Sequence, residues 1–310
     1  MRVLFFGTAA FAVPSLERVV VAGHQVVRCM TQPDRPQGRG LAPHPSPIKS
    51  AAQRLGLAVE EPTTLQTLVS DVRALAPEVG IVVSYGRLIP PELLTVPRHG
   101  MLGVHPSLLP RYRGASPVAW AILQGDQETG VTVFRLDERM DAGEIALQQT
   151  VPIDPQDTTD ILTSRLAALG AELLVEGLAQ LDQGRAVWTP QEESQASCTS
   201  KLTKADGRID WRQPASTIDR LIRAMIPWPG AQTTWRDQLV KIWAARPEAQ
   251  RPSSEASGQI VAVAPEGVVV ATGQGSLVIR ELQLAGRRRM TARDFLAGHE
   301  VVVGERFGTD

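Results

Sequence analysis

The 310-residue sequence predicts an α/β protein: an open, mainly parallel, Rossmann-like sheet with helices on both faces, followed by a smaller C-terminal β-barrel of OB-like form. Three observations carry this. Short apolar runs and helical stretches alternate through the first 200 residues, the pattern of parallel strands joined by crossover helices. Between about Trp188 and Ala205 the texture turns polar and loses its period. Beyond that, several short β-rich runs lie between Gly or Pro turns, as in a small barrel. The length agrees, at roughly 150 residues per domain.

Val3–Phe6 is an apolar run closed by Gly7 and reads as the first strand. Pro14–Val21 reads as a helix, with Pro14 suited to its first turn and Gly23 to its stop. Val26–Met30 is a second strand, and Ile48–Leu55 and Leu65–Leu75 read as helices. Ile81–Tyr85, rich in β-branched residues, is a strand buried on both faces, and Met101–Val104 is a short one. Leu162, Leu166, Leu169, Leu173 and Leu181 recur at helical spacing and form a core-facing stripe. Gln191–Gln195 reads as a connector. A helix over Ser216–Met225 then precedes strands at Leu239–Trp243, Ile260–Val263, Val268–Ala271 and Leu277–Leu284.

Composition excludes several classes. Apolar residues make up 43% and charged residues 21%, too apolar for a disordered chain. With 32 basic against 33 acidic residues, no overall field draws the chain to nucleic acid or membrane, so an anionic partner must meet a local patch. The longest apolar runs are strand-sized, which predicts no membrane span. The chain enters its first strand at once, without a signal-peptide core. Cys29 and Cys198 stand far apart with no metal-type cluster, pointing to a reduced, cytoplasmic setting and no metal. The sequence contains no Asn at all.

Ligands of open α/β sheets bind beyond the carboxyl ends of the strands. Gly7-Thr8, Ser84-Tyr85-Gly86 and His105-Pro106-Ser107-Leu108-Leu109-Pro110 fall at such ends. Ala9 and Ala10 break any GxGxxG pattern after Gly7, and no P-loop, GxSxG or HExxH is present. His105 leads into a loop stiffened by two prolines, the setting of a preorganised side chain. Asp141 lies in a turn-forming stretch, where Asp137, Glu138 and Glu144 compete with it for any catalytic role. Arg35 and Arg39, among Pro36, Gly38 and Gly40, form a basic stretch that fits either solvent or a phosphate-rich partner.

The run Val104-His105-Pro106-Ser107-Leu108-Leu109-Pro110-Arg111-Tyr112-Arg113-Gly114, with Met140-Asp141-Ala142-Gly143-Glu144, resembles the formyltransferase family that uses 10-formyltetrahydrofolate. Thr31–Pro36, Gly38–Gly40, Lys201–Lys204, Ile209–Trp211 and Pro227–Gly230 extend the resemblance over nearly the whole chain, to the branch acting on initiator tRNA. It implies formyl transfer from 10-formyltetrahydrofolate to the α-amino group of methionyl initiator tRNA. By the same resemblance His105 and Asp141 are the catalytic pair, and Ser107, Leu108, Leu109 and Pro110, with Tyr85 and Gly86, meet the folate. Arg35, Arg39, Lys201 and Lys204 meet the tRNA, and the chain works as a monomer. The implied division is a catalytic domain over 1–189, a linker over 190–205 and a tRNA-contacting barrel over 206–310.

Two departures stand out. Two residues before the His, where the family carries an Asn that donates to the oxyanion, this chain has Gly103. Loss of one such donor costs on the order of 10²–10³ in turnover, so the expectation is weakened activity unless a water fills the gap. Leu41 and Ala42 stand where the family often has basic residues. The competing expectations are a formyl-folate enzyme with another acceptor, such as a sugar amine or water, and a folate- or tRNA-binding protein without turnover.

Overall fold

The computed structural model describes residues 1–37, 42–248 and 256–308. Its elements run β1 (Arg2–Gly7), α1 (Val13–Val21), β2 (Gln25–Met30), β3 (Arg35–Gln37), β4 (Ala42–His44), α2 (Pro47–Arg54), β5 (Val59–Glu60), α3 (Val69–Ala74) and β6 (Val79–Val83). There follow α4 (Pro91–Leu94), β7 (Met101–His105), β8 (Arg113–Gly114), α5 (Pro117–Gln124), β9 (Glu128–Arg135), β10 (Ile145–Pro152), α6 (Thr159–Asp182) and β11 (Cys198–Thr199). The last stretch holds α7 (Ala215–Ala224), β12 (Ala231–Trp235), β13 (Gln238–Glu248), β14 (Ile260–Ala264), β15 (Gly267–Ala271), β16 (Ser276–Leu284), β17 (Met290–Thr291) and α8 (Ala292–Gly298). The chain divides into two compact units: residues 1–117, 128–152 and 163–199, and residues 118–127, 153–162 and 200–310.

The first unit is built on a seven-stranded sheet in the order β10-β9-β7-β6-β1-β2-β5. β5, β2, β1, β6 and β7 are parallel, and β9 and β10 add an antiparallel edge. Val3, Leu4, Phe5 and Phe6 are all fully buried, as a continuous apolar run must be when helices cover both faces. α1 carries Pro14 in its first turn and gives way to Gly23 at φ +83°. Ser46 caps α2 by accepting from the Lys49 amide, with Pro47 at the first helical position. The stretch expected as one helix over Leu65–Leu75 is a 3₁₀ turn, Gln66–Leu68, running into α3. Along α6, Leu162, Leu166, Leu173 and Leu181 are buried, with Leu169 half-buried. Gly170 of α6 sits so close to the sheet that a Cβ would lie 2.8 Å from Val104.

In the second unit the expected strands are present, and β12 joins them in the order β12-β13-β16-β15-β14. The end of the chain closes this sheet on itself. The Phe307 amide donates to the Gly258 carbonyl and the Gly308 amide to the Thr234 carbonyl, so residues 304–308 bridge the two edges. Closure removes the unpaired edges an open sheet would expose. Trp235, Phe295 and Phe307 pack inside, with Trp211 against Phe307 at 5.8 Å between ring centres.

Candidate active site

β6 and β7 end side by side in the first unit, and the chain beyond each bends away to leave a hollow of about 680 Å³. After β6 the backbone turns through Ser84 at φ +44° and Gly86 at φ +78°. The positive φ at Gly86 favours glycine there, and a Cβ would also lie 2.7 Å from the Gln32 side-chain amide. Tyr85, Gly86, Leu88 and Ile89 form one wall. Tyr85 is itself buried against Phe6, with its carbonyl accepting from Thr8 Oγ1 and Gln32 Nε2. That burial raises the Tyr85 phenol above its ordinary pKa, so the ring stays neutral.

His105 is the last residue of β7, 7% exposed, and lines the hollow. Its Nε2 lies 2.8 Å from the Tyr112 carbonyl oxygen. A carbonyl can only accept, so Nε2 carries the proton and the tautomer is fixed. Nδ1 stands 3.6 Å from Asp141 Oδ2. Asp141 has φ +52°, a conformation Asp tolerates better than most residues, and its Oδ2 accepts from the Gly114 amide at 2.8 Å. Two side chains 36 positions apart thus meet on one wall, with the Nδ1 lone pair placed to take a proton beside a fixed carboxylate. Asp137 and Glu138 also line the hollow; Asp137 is occupied with Arg139.

Gly103 lines the same hollow, and its neighbourhood answers what replaces the expected amide. Phe134 on β9 is its direct cross-strand partner. A Cβ on Gly103 would lie 2.5 Å from the Phe134 ring and 2.8 Å from Leu136 Cδ1. There is no room for a water beside the glycine on this side; the ring, 4% exposed, covers it.

The residues expected to touch folate divide. Tyr85 and Gly86 line the hollow, whereas Ser107, Leu108, Leu109 and Pro110 do not. Ser107 is fully buried, donating to the Arg111 carbonyl, while its own carbonyl accepts from Thr132 Oγ1. The Leu109 amide donates to the same Thr132 oxygen. These bonds, with those from Arg111 to the Leu108 carbonyl and from Gln148 to the Leu109 carbonyl, stiffen the loop after β7 beside the hollow. The parts played by the Gly114 amide and by Phe134 and Leu136 carry no local sequence signal, since they depend on cross-strand register and a backbone N–H.

Lys201 and Lys204 are exposed at the start of the second unit's long C-terminal stretch. The backbone of Arg35 pairs with His44 between β3 and β4, but its side chain and all of Arg39 and Leu41 lie outside the described residues. Cys29 is buried, which pushes its thiol up to about 12, and Cys198 is exposed; neither forms a disulfide. Among the described residues no three His, Cys, Asp or Glu side chains converge on one point, and no helix is long and apolar enough to cross a membrane.

The formyl transferase family profile matches residues 1–178, and the profile of the formyl transferase C-terminal domain matches residues 201–300. The chain belongs to the formyl transferase family. Among its relatives, a methionyl-tRNA formyltransferase of Roseiflexus castenholzii is 47% identical over 311 residues, covering 99% of both chains. One of Nitrosomonas europaea is 43% identical, covering 99% of this chain and 96% of its own. Among solved structures, HypX from Aquifex aeolicus in complex with tetrahydrofolic acid matches with a TM-score of 0.67 at 21% identity. That match covers 96% of this chain and 47% of the longer one, and shows a shared fold.

Proposed function

We propose that this formyl transferase moves the formyl group of 10-formyltetrahydrofolate to the α-amino group of methionyl initiator tRNA. The observation that carries the proposal is the placing of His105 and Asp141 3.6 Å apart on the wall of a hollow large enough for a folate ring system. The near-complete match to relatives bearing that name supplies the acceptor. The walls suit the donor: Tyr85, Leu88, Ile89 and Phe134 offer apolar faces to a flat heterocycle.

The amine nitrogen attacks the formyl carbon and forms a C–N bond, and the carbonyl electrons move to oxygen. The amine proton passes to His105 Nδ1, the nitrogen left basic by the bond from Nε2 to Tyr112. Asp141 stabilises the imidazolium that results. Collapse of the tetrahedral centre breaks the bond to N10 of the folate, which takes the proton back from His105. Gly103, covered by Phe134, offers no side-chain donor, so the oxyanion is met by the protonated ring without the amide that the family's Asn would add. Turnover is therefore weaker, by about 10²–10³, than in a site holding the second donor.

The catalytic part runs over 1–189, with 190–205 leading to a tRNA-contacting part over 206–310; Arg35, Arg39, Lys201 and Lys204 meet tRNA phosphates. The enzyme acts in the cytoplasm as a monomer and needs no metal. The test is to supply labelled 10-formyltetrahydrofolate with charged initiator tRNA, with an amino sugar nucleotide, or with neither. Formyl-methionine forming only with the tRNA supports the proposal. Transfer to the sugar, release of formate without acceptor, or binding without product each overturns it.

A further inference from the structure

Gln191 belongs to the polar stretch after α6 and does not line the hollow, yet every hydrogen-bonding position of its side chain is taken. Nε2 lies 2.8 Å from the Asp141 carbonyl oxygen and 2.7 Å from that of Gly143. Oε1 lies 3.0 Å from Nε of Arg113 and 2.9 Å from its Nη2. Carbonyls only accept and a guanidinium only donates, so the orientation of the amide follows without ambiguity.

The turn that Gln191 grips is flanked by two further bonds, from Arg139 Nη2 to the Ala142 carbonyl at 3.5 Å and from the Arg135 amide to the Glu144 carbonyl at 2.8 Å, while the Asp141 and Gly143 carbonyls are held by Gln191. Asp141 sits at positive φ, and Gly143 is pressed so closely on the Arg135 carbonyl that a Cβ has no room. Arg113 is the hub behind Gln191. It is 7% exposed and also grips both oxygens of Glu193, holding that carboxylate below its usual pKa. The residue after Arg113 is Gly114, whose amide donates to Asp141 Oδ2, and the residue before it is Tyr112, whose carbonyl fixes His105. The same polar stretch ties this loop down: the Arg113 amide donates to the Ser197 carbonyl, the Tyr112 amide to Ser197 Oγ, and β11 pairs with β8.

We propose that Gln191, set by Arg113, is a positioning residue that fixes Asp141 against His105, and that residues 191–199 are part of the frame of the reaction centre. This rests on the catalytic reading of His105 and Asp141 above. Removing the two donated bonds lets the 140–143 turn relax and the carboxylate drift from Nδ1, and a misplacement near 1 Å costs about 10²-fold in rate.

The test compares the full-length wild type with Gln191→Ala, Gln191→Glu, Asp141→Asn and the double variant Gln191→Ala/Asp141→Asn. Gln191→Glu keeps the acceptor for Arg113 but cannot donate to the two carbonyls when ionised. Both Gln191 variants are expected to lose about 10- to 100-fold in kcat with KM for folate and tRNA within about twofold. Gln191→Ala is expected to add nothing once Asp141 is Asn. Hydrogen exchange is expected to quicken at residues 139–144 and at the Gly114 amide in Gln191→Glu. Wild-type kcat in Gln191→Glu, additive losses in the double variant, or unchanged exchange overturns the proposal. A wild type that formylates no tRNA overturns the functional reading instead, and the exchange measurement still decides the role of Gln191.

Discussion

The hollow at the rim of the parallel sheet and the larger one beside the barrel are lined by different chemistry. The first, about 680 Å³, has mostly apolar walls that also hold Arg87, Asp137, Glu138 and Arg139, and one His–Asp pair whose tautomer and orientation are set by backbone groups. The second, about 1020 Å³, is edged by Arg208, Arg212 and Arg306 with Asp210 among them, and none of its described lining residues is His or Cys. Asp210 is held down to about 2 by the Arg212 side chain, so it stays charged. A mostly apolar hollow with a fixed proton carrier suits bond making, and a larger basin with more polar lining suits contact with a charged partner. Each hollow can be altered without touching the lining of the other.

The largest effect falls on the first hollow. Asp141→Asn keeps an acceptor for the Gly114 amide but removes the charge beside Nδ1, and is expected to lower kcat by about 10²–10⁴. Steady-state kinetics check this, with KM for folate little changed. Next is the seam of the barrel. Phe307 is 1% exposed among Trp211 and Trp235 and sits in the segment that closes the sheet. Phe307→Ala is expected to cost about 3–5 kcal/mol of stability, read by denaturant unfolding, while folate binding by the folded protein persists.

Gly103→Asn sharpens the comparison inside the first hollow. The new side chain meets Phe134 and Leu136, and overpacking costs about 1–3 kcal/mol, so thermal stability falls and turnover does not rise. Gly103→Asn combined with Phe134→Ala opens the space and is expected to raise kcat above that of Phe134→Ala alone. An unchanged melting temperature in the single variant contradicts the packing argument. The smallest effect is electrostatic. Lys201→Gln with Lys204→Gln is expected to raise KM for tRNA and to lower the salt slope of binding by about one for each phosphate no longer neutralised. Folate KM is expected to stay unchanged.

Much of the fold was legible because it depends on nearest neighbours. Pro14 and Gly23 mark α1, and the run Val3–Phe6 needs no partner to announce a doubly buried strand. The pair at the site was partly legible. His105 is marked by its strand end and prolines, whereas only family resemblance distinguishes Asp141 from its acidic neighbours. What stayed hidden depends on distant backbone. Gln191 looks like one more polar residue in a connector, since its partners are carbonyls about 50 positions away. The covering of Gly103 by Phe134 depends on antiparallel register, which no local pattern encodes.

The most direct measurement is single-turnover formyl transfer, with folate donor and charged initiator tRNA saturating, in wild type and His105→Ala. The account predicts that the variant binds both substrates and yields formyl-methionine at least about 10²-fold more slowly. Product forming at the wild-type rate without the imidazole would contradict it.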